Sequence, residues 1–332
     1  DELFGIDGLL EVVQHNQKMQ QQIVMDTLYW LRKSYEKVSA KRHYEIADKH
    51  LNHLYLKTYD ELQNILDVKR QETINLFKNK YGYEGIEWRV LPDSCLKDFG
   101  PEVKNNLAVC SLKKSVPLIK KINAQFNLHT AGFSSYVEMD QIEDIKIIRD
   151  AGCELECPFF RIRGLYYKRD RNYREIVEDG WRKFERIEKI LDGYPIKAAI
   201  EIHHGFAVSS CAAAYHFCSR FSPENLGVIH DPGNQVVEGR EDAKMGIEIL
   251  GPYLIHVHFK NLIWEKGSVR KDNTIEWKPK SVPVNEGIID WKDYIEQLKK
   301  AGYNGFLSNE DMDTTRDIEQ RLKQIDYLKQ FV

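Results

Sequence analysis

The sequence contains no apolar run near the roughly 18 residues that a membrane-spanning helix needs. It also has no excess of positive charge: 48 lysines and arginines face 51 acidic residues, for a net charge of -3. The first absence excludes a membrane partner of the spanning kind. The second removes the electrostatic footprint of a nucleic-acid or anionic-membrane binder. Cysteine is scarce. Cys95, Cys110, Cys153, Cys157, Cys211 and Cys218 form no C-x-x-C pair, and a chain this long needs no disulfide staples, so buried thiols in a reducing cytoplasm are expected. From Asp1 onward there is no secretory pattern of charged, apolar and small-residue regions, which also points to a cytoplasmic location. No repeat, low-complexity tract or Gly/Ser linker interrupts the chain. No Gly-rich phosphate loop is present, which favours an unphosphorylated small-molecule ligand.

The chain does have the material for a large core. Of its 332 residues, 42% are hydrophobic and 30% charged, a globular composition. From about residue 82, short β-like runs alternate with helical ones. The runs are 84–90 (EGIEWRV), 127–131 (NLHTA), 154–163 (ELECPFFRIR), 197–203 (KAAIEIH), 226–231 (LGVIHD), 254–260 (LIHVHFK) and 305–310 (GFLSNE). Helical patterns fall at 136–151, 173–191, 209–220, 240–250, 291–301 and 315–331. This alternation predicts an α/β fold with a parallel sheet. Seven such strands, with an eighth upstream at 3–6 or 59–68, favour a (β/α)8 TIM barrel. Residues 1–60 read as an N-terminal helical extension or insertion and 61–332 as the barrel. The stretch 264–284 lacks clear periodicity. It is expected to be an active-site lid or a plain surface loop.

Four strands end in a polar ligand type: Glu201, Asp231, His258 and Glu310. In a barrel these positions meet at the C-terminal mouth, where active sites lie. Period-two alternation sets Ala199, Glu201 and His203 on one strand face, and His256, His258 and Lys260 on another. Three polar residues on one inner face are costly to bury without partners. Three carboxylates and an imidazole make a hard, oxygen-rich site, suited to one divalent metal: Mn²⁺ first, with Mg²⁺ or Co²⁺ as alternatives. Without a cation the carboxylates would repel one another. His203, His204 and Lys260 are candidates for catalytic proton handling. His256, Trp88, His129 and Arg161 are candidates for substrate binding. His230 is expected to face the helices and be structural, and residues 166–171 (YYKRDR) to be a solvated loop.

The pieces GYEGIE (82–87), AIEIH (199–203), GVIHDPGNQ (227–235), GPYLIHVHFKN (251–261) and, near the end, EGIIDW and GYNGFLSNED occur in an order and spacing that resemble the xylose-isomerase-like TIM barrels. These are sugar isomerases, epimerases and their relatives. The resemblance runs from about residue 82 to the end. It implies that Glu201, Asp231, His258 and Glu310 hold the metal, and that Glu201 and Glu310 also remove and return a proton next to a carbonyl. The chain departs from the pattern at Asn261, where many relatives carry Asp, and at Asn234, where relatives often carry His. Asn234 remains a candidate substrate contact.

A narrower similarity, carried by EIHHG, DPGN and LGPYLIHVHFKN together with the enlarged N-terminal part, is to the catalytic subunit of bacterial C-glycoside deglycosidases. It implies elimination on 3-oxo-glycosides with a small partner subunit, against a simple isomerase or epimerase that would be a homo-oligomer. An endonuclease-IV-like nuclease and a non-catalytic sugar-binding barrel are the readings from other classes. The acidic balance and the missing histidines oppose the first, and the intact ligand set opposes the second.

Overall fold

A computed structural model of the chain describes residues 74–92, 107–311, 313 and 315–332. The expected helical extension at 1–60 and both proposed positions of a first strand lie outside the described residues. Residues 77–92 and 107–332 form one unit.

All seven expected strands are present, with shifted ends. They are β1 (Gly85–Leu91), β3 (His129–Ser135), β4 (Phe159–Arg161), β5 (Lys197–Glu201), β6 (Leu226–His230), β7 (Leu254–Phe259) and β10 (Leu307–Asn309). The two-residue β2 (Leu107–Ala108) completes an eight-stranded sheet in the order β10-β7-β6-β5-β4-β3-β1-β2. Every neighbouring pair in it is parallel. The expected strand at 154–163 shrinks to three residues: Glu154 ends the preceding helix, 155–158 turn the chain, and beyond Arg161 only Arg163 of that run pairs, in an isolated bridge to Glu138.

Helices follow the strands: α1 (Leu112–Phe126), α2 (Ile142–Glu154), α3 (Tyr173–Leu191), α4 (Cys211–Cys218), α5 (Pro232–Glu238), α6 (Ala243–Leu250), α7 (Trp291–Lys300) and the short α8 (Ile318–Lys323) and α9 (Ile325–Leu328). The single helix expected at 315–331 is thus two. The longest, α3, shows why these segments are helical. Asn172 and Glu175 form a capping box at its start, and Ile176, Val177, Gly180, Phe184, Ile187 and Leu191 are buried at helical spacing.

Alternation along the strands divides two cores. Outward-facing Ala198, Ile200, Ile202 and Val228 join the large cluster under the helices. Inward-facing Phe159, Ala199 and Ile229, with Ile255 against them, fill the barrel interior. Gly132 on β3 leaves room for this filling, since a Cβ there would lie 2.3 Å from the Phe159 ring. The Phe159 ring in turn lies 4.7 Å from that of His256, so interior packing sets the floor of the polar site. Gly132→Ala is therefore expected to destabilise the fold by about 1–3 kcal/mol, the usual cost of overpacking, as measured by urea denaturation.

The stretch 264–284, expected to be aperiodic, belongs to an antiparallel hairpin, β8 (Asn261–Val269) and β9 (Ile275–Val282). Most of its residues are exposed, so no apolar alternation marks its strands. Asn261 pins its base. The side-chain amide donates to Val284 O (2.7 Å) and Ile289 O (2.9 Å) and accepts from Leu262 N and Ile289 N (both 3.0 Å). That uses the full capacity of the group, so the departure at Asn261 is a structural one. Among the described residues, no helix is long and apolar enough to cross a membrane.

Candidate metal centre

Glu201 ends β5, Asp231 and Glu310 follow β6 and β10, and His258 is the next-to-last residue of β7. Parallel strands bring these four positions to one end of the sheet. One ligand atom from each lies within 4.8 Å of all the others. His258 Nδ1 is 3.6 Å from Glu201 Oε1, 3.6 Å from Asp231 Oδ2 and 3.4 Å from Glu310 Oε2. His258 and Asp231 are almost completely buried, and Glu201 is 8% exposed.

Asp231 serves two elements at once. Its Oδ1 caps α5 by accepting from Asn234 N at 2.9 Å, while Oδ2 turns to the site. A capping role and a ligand role are therefore compatible in one side chain. Asn234 braces the neighbouring ligand as well: its Nδ2 donates to Glu201 Oε1 (3.0 Å) and Ile202 O (3.2 Å). The amide expected to bind substrate is occupied by the Glu201 carboxylate. Arg161, also expected to contact substrate, instead makes a buried ion pair with Glu201 Oε2 and donates through Nε to Ser135 O at 3.1 Å. Lys260 Nζ lies 2.7 Å from both Asp231 Oδ2 and Glu310 Oε2.

Glu87 was not singled out as a site residue in the sequence, although GYEGIE contains it. It lies on the inward face of β1 and accepts from His258 Nε2 at 3.1–3.2 Å and His256 Nε2 at 3.1 Å. His256 Nε2 is also 2.8 Å from Ser308 Oγ. His256, expected near the substrate, is thus buried one layer below the ligands. The available signal was the alternation of EGIEWRV, which sends Glu87 inward and Trp88 outward. Trp88 packs against the outer core and does not form a platform at the mouth. His129 is the first residue of β3, exposed, and contacts Phe306; it lies at the opposite strand end from the site. His203 lines a cavity beside Glu201, and its ring stacks on exposed His204 at 4.2 Å. His230 is buried, with Gln235 Oε1 2.9 Å from Nε2 and Tyr294 on Nδ1, facing the helices as expected.

Charge organises the cluster. Burial opposes ionisation of Glu201, but the Arg161 guanidinium overrides it and holds this carboxyl at about 2. Burial likewise opposes ionisation of Glu310, yet His258 and Lys260 hold it well below the usual range. Burial also disfavours charge on His258, which Glu87 and Glu310 nonetheless raise well above its ordinary value. A proton and a metal ion compete for such a nitrogen.

The residues fit a divalent cation on three counts. The donors are three hard carboxylates and one imidazole. Buried His258 Nδ1 has no hydrogen-bond partner, and it faces a carboxylate oxygen of each of Glu201, Asp231 and Glu310 at 3.4–3.6 Å. The carboxylates of Glu87, Glu201, Asp231 and Glu310 meet the cations of Arg161 and Lys260, and one divalent ion would cancel the remaining charge. Glu87, bonded to His258 Nε2, would then orient the histidine that offers Nδ1 to the ion. Glu87→Gln is expected to lower Mn²⁺ affinity about 10–100-fold, as read by calorimetric titration of the apoprotein.

A family model described as "Xylose isomerase-like TIM barrel" matches residues 78–331. The chain belongs to this family. Solved structures share the fold. An E. coli 3-keto-D-glucoside 4-epimerase, YcjR, has a TM-score of 0.57 at 12% identity, over 78% of this chain and 94% of its own. A D-tagatose 3-epimerase-like protein has a TM-score of 0.53 at 18% identity, over 74% and 87%. A xylose isomerase-like TIM barrel protein from Mycobacterium smegmatis, solved in complex with magnesium, has a TM-score of 0.59 at 12% identity, over 80% and 88%. No curated protein matches the sequence.

Proposed function

We propose that the protein is a divalent-metal-dependent sugar isomerase or epimerase that moves a proton at the carbon next to a carbonyl of a sugar or oxidised sugar. The observation that carries this reading is the convergence of Glu201, Asp231, His258 and Glu310 on one point, with the buried His258 Nδ1 lacking a hydrogen-bond partner. The similarity to a 3-keto-D-glucoside 4-epimerase and a D-tagatose 3-epimerase-like protein supports the same substrate class. Mn²⁺ is our preferred ion, and Mg²⁺ is compatible with the same donors.

Glu201, Asp231, His258 and Glu310 would hold the ion. When bound, it supplies Lewis-acid polarisation of the carbonyl and the adjacent hydroxyl. The protein's own groups do the rest. Glu201 and Glu310 approach from different strands, so one carboxylate removes the carbon-bound proton and the other returns one. Arg161 and Asn234 fix the Glu201 carboxylate in position. Lys260, bridging Asp231 and Glu310, is placed to steady negative charge on the substrate oxygen. His203, at the edge of the cavity, can exchange oxygen-bound protons. Elimination of an aglycone from a 3-oxo-glycoside begins with the same proton removal, so the same assay reports both outcomes.

The test is deuterium uptake from D₂O into a panel of free and 3-oxo sugars, with Mn²⁺ added and the products resolved by mass spectrometry. Uptake at a carbon next to a carbonyl, with about one metal ion per chain, is the expected result. No uptake into any sugar by metal-loaded protein sinks the proposal.

A further inference from the structure

A cavity of about 70 Å³ adjoins the metal centre, and its lining includes Tyr136, Arg161, Arg163, Glu201, His203 and Phe206. The two guanidinium groups in this wall differ. Arg161 is paired with Glu201. Arg163 makes no ion pair among the described residues, and its side-chain N–H groups donate to none of them. Its guanidinium carbon instead lies 4.8 Å from the Tyr136 ring, 5.2 Å from Tyr166 and 6.0 Å from Phe206.

This aromatic box is held in place. The Tyr166 and Phe206 rings are 4.7 Å apart, and their backbones share an isolated antiparallel bridge. Tyr166 Oη donates to Glu138 Oε1 at 2.5 Å, so the nearby Glu138 carboxylate engages a phenol and not Arg163. Residues 167–171 of the expected solvated loop are exposed, but Tyr166 packs against Arg163 and Phe206 behind the cavity wall. Rings against a guanidinium satisfy it through its π-face and leave its N–H edge directed elsewhere.

Charge supplies the second strand of the argument. With the proposed divalent ion bound, Glu87, Glu201, Asp231 and Glu310 would be balanced against Arg161 and Lys260. Arg163 is outside that balance: it lines the same cavity as Glu201, and the Glu138 carboxylate near it is engaged by Tyr166 without an ion pair to Arg163. A guanidinium edge is matched in shape by a carboxylate, which accepts two parallel hydrogen bonds. A phosphate usually recruits more donors, and no Gly-rich loop provides them. We propose that Arg163 binds a carboxylate of the substrate, so that the substrate is a sugar acid and not a neutral sugar. This rests on the isomerase or epimerase reading above for where the sugar sits.

The test is calorimetric binding of D-glucuronate, D-glucose and D-glucose 6-phosphate to the Mn²⁺-loaded full chain, and to Arg163→Met and Arg163→Lys. Hydrogen bonds to a charged group support about a tenfold preference or more for glucuronate over glucose. Arg163→Met is expected to erase that preference, and Arg163→Lys to keep part of it. The proposal is overturned by any of four results: no binding of glucuronate, equal binding of glucuronate and glucose, an unchanged preference in Arg163→Met, or glucose 6-phosphate binding as tightly as glucuronate. Deuterium uptake is read in parallel. A preference for glucuronate without uptake upholds this subsite and removes the proton-transfer reading. Uptake into neutral sugars without the preference does the reverse.

Discussion

Glu310→Gln is expected to lower deuterium uptake at the substrate carbon by about 10²–10⁴-fold, the range a positioned general acid or base contributes. The substitution keeps the size and shape of the side chain and removes its charge. That charge does two jobs. Glu310 Oε2 lies 3.4 Å from His258 Nδ1 and 2.7 Å from Lys260 Nζ, so it belongs to the cluster that faces the cation. It is also the most open of the four proposed ligands, with its side chain 21% exposed against 6% or less for the others, and so the one best placed to meet a substrate at the mouth. The fold is expected to survive, because Glu310 is not part of either apolar core. Circular dichroism and the urea midpoint check that. Uptake within a few-fold of the unsubstituted protein would remove Glu310 from the mechanism.

The largest expected loss of stability is at Arg161. Arg161→Met leaves the buried Glu201 carboxylate without its guanidinium, and breaking one side of a buried pair costs about 3–5 kcal/mol, read as a fall in urea unfolding free energy at pH 7. The pH dependence has a definite sign. Glu201 is held at about 2 in the folded protein against an ordinary value of 4.5. Its contribution is present in full above about pH 4.5 and is lost as the pH falls toward 2. In Arg161→Met the carboxyl loses the group that lowers it, so this acid-dependent component should shrink. A variant as stable as the parent at pH 7, with the same acid limb, would show that the pair does not support the fold.

The architecture was legible because two periodicities carried it. Strand alternation in KAAIEIH and LIHVHFK separates side chains bound for the helical layer from those bound for the interior, and the structure divides them the same way. Spacing along the chain was enough to bring Glu201, Asp231, His258 and Glu310 to one end of the sheet. What the sequence hid was the partner of each polar group. Nothing local shows that Asn234 reaches back to Glu201, or that Arg161 does so from another strand, because both contacts cross between elements that the fold alone makes neighbours. Glu87 was hidden for a related reason: its partners His256 and His258 lie about 170 positions away. The hairpin β8–β9 was illegible because two exposed faces leave no hydrophobic period to detect.

Asp231 has one oxygen committed to the first turn of a helix and the other turned to the proposed metal site, where it also meets Lys260. The ligand therefore cannot slide outward without uncapping α5, and Glu201 is similarly tethered through Asn234 and Arg161. A cage with two walls fixed in this way selects by ionic radius as well as by charge. It should accept Mg²⁺ and Mn²⁺ with little rearrangement and disfavour Ca²⁺, whose longer bonds and higher coordination number need walls that can yield.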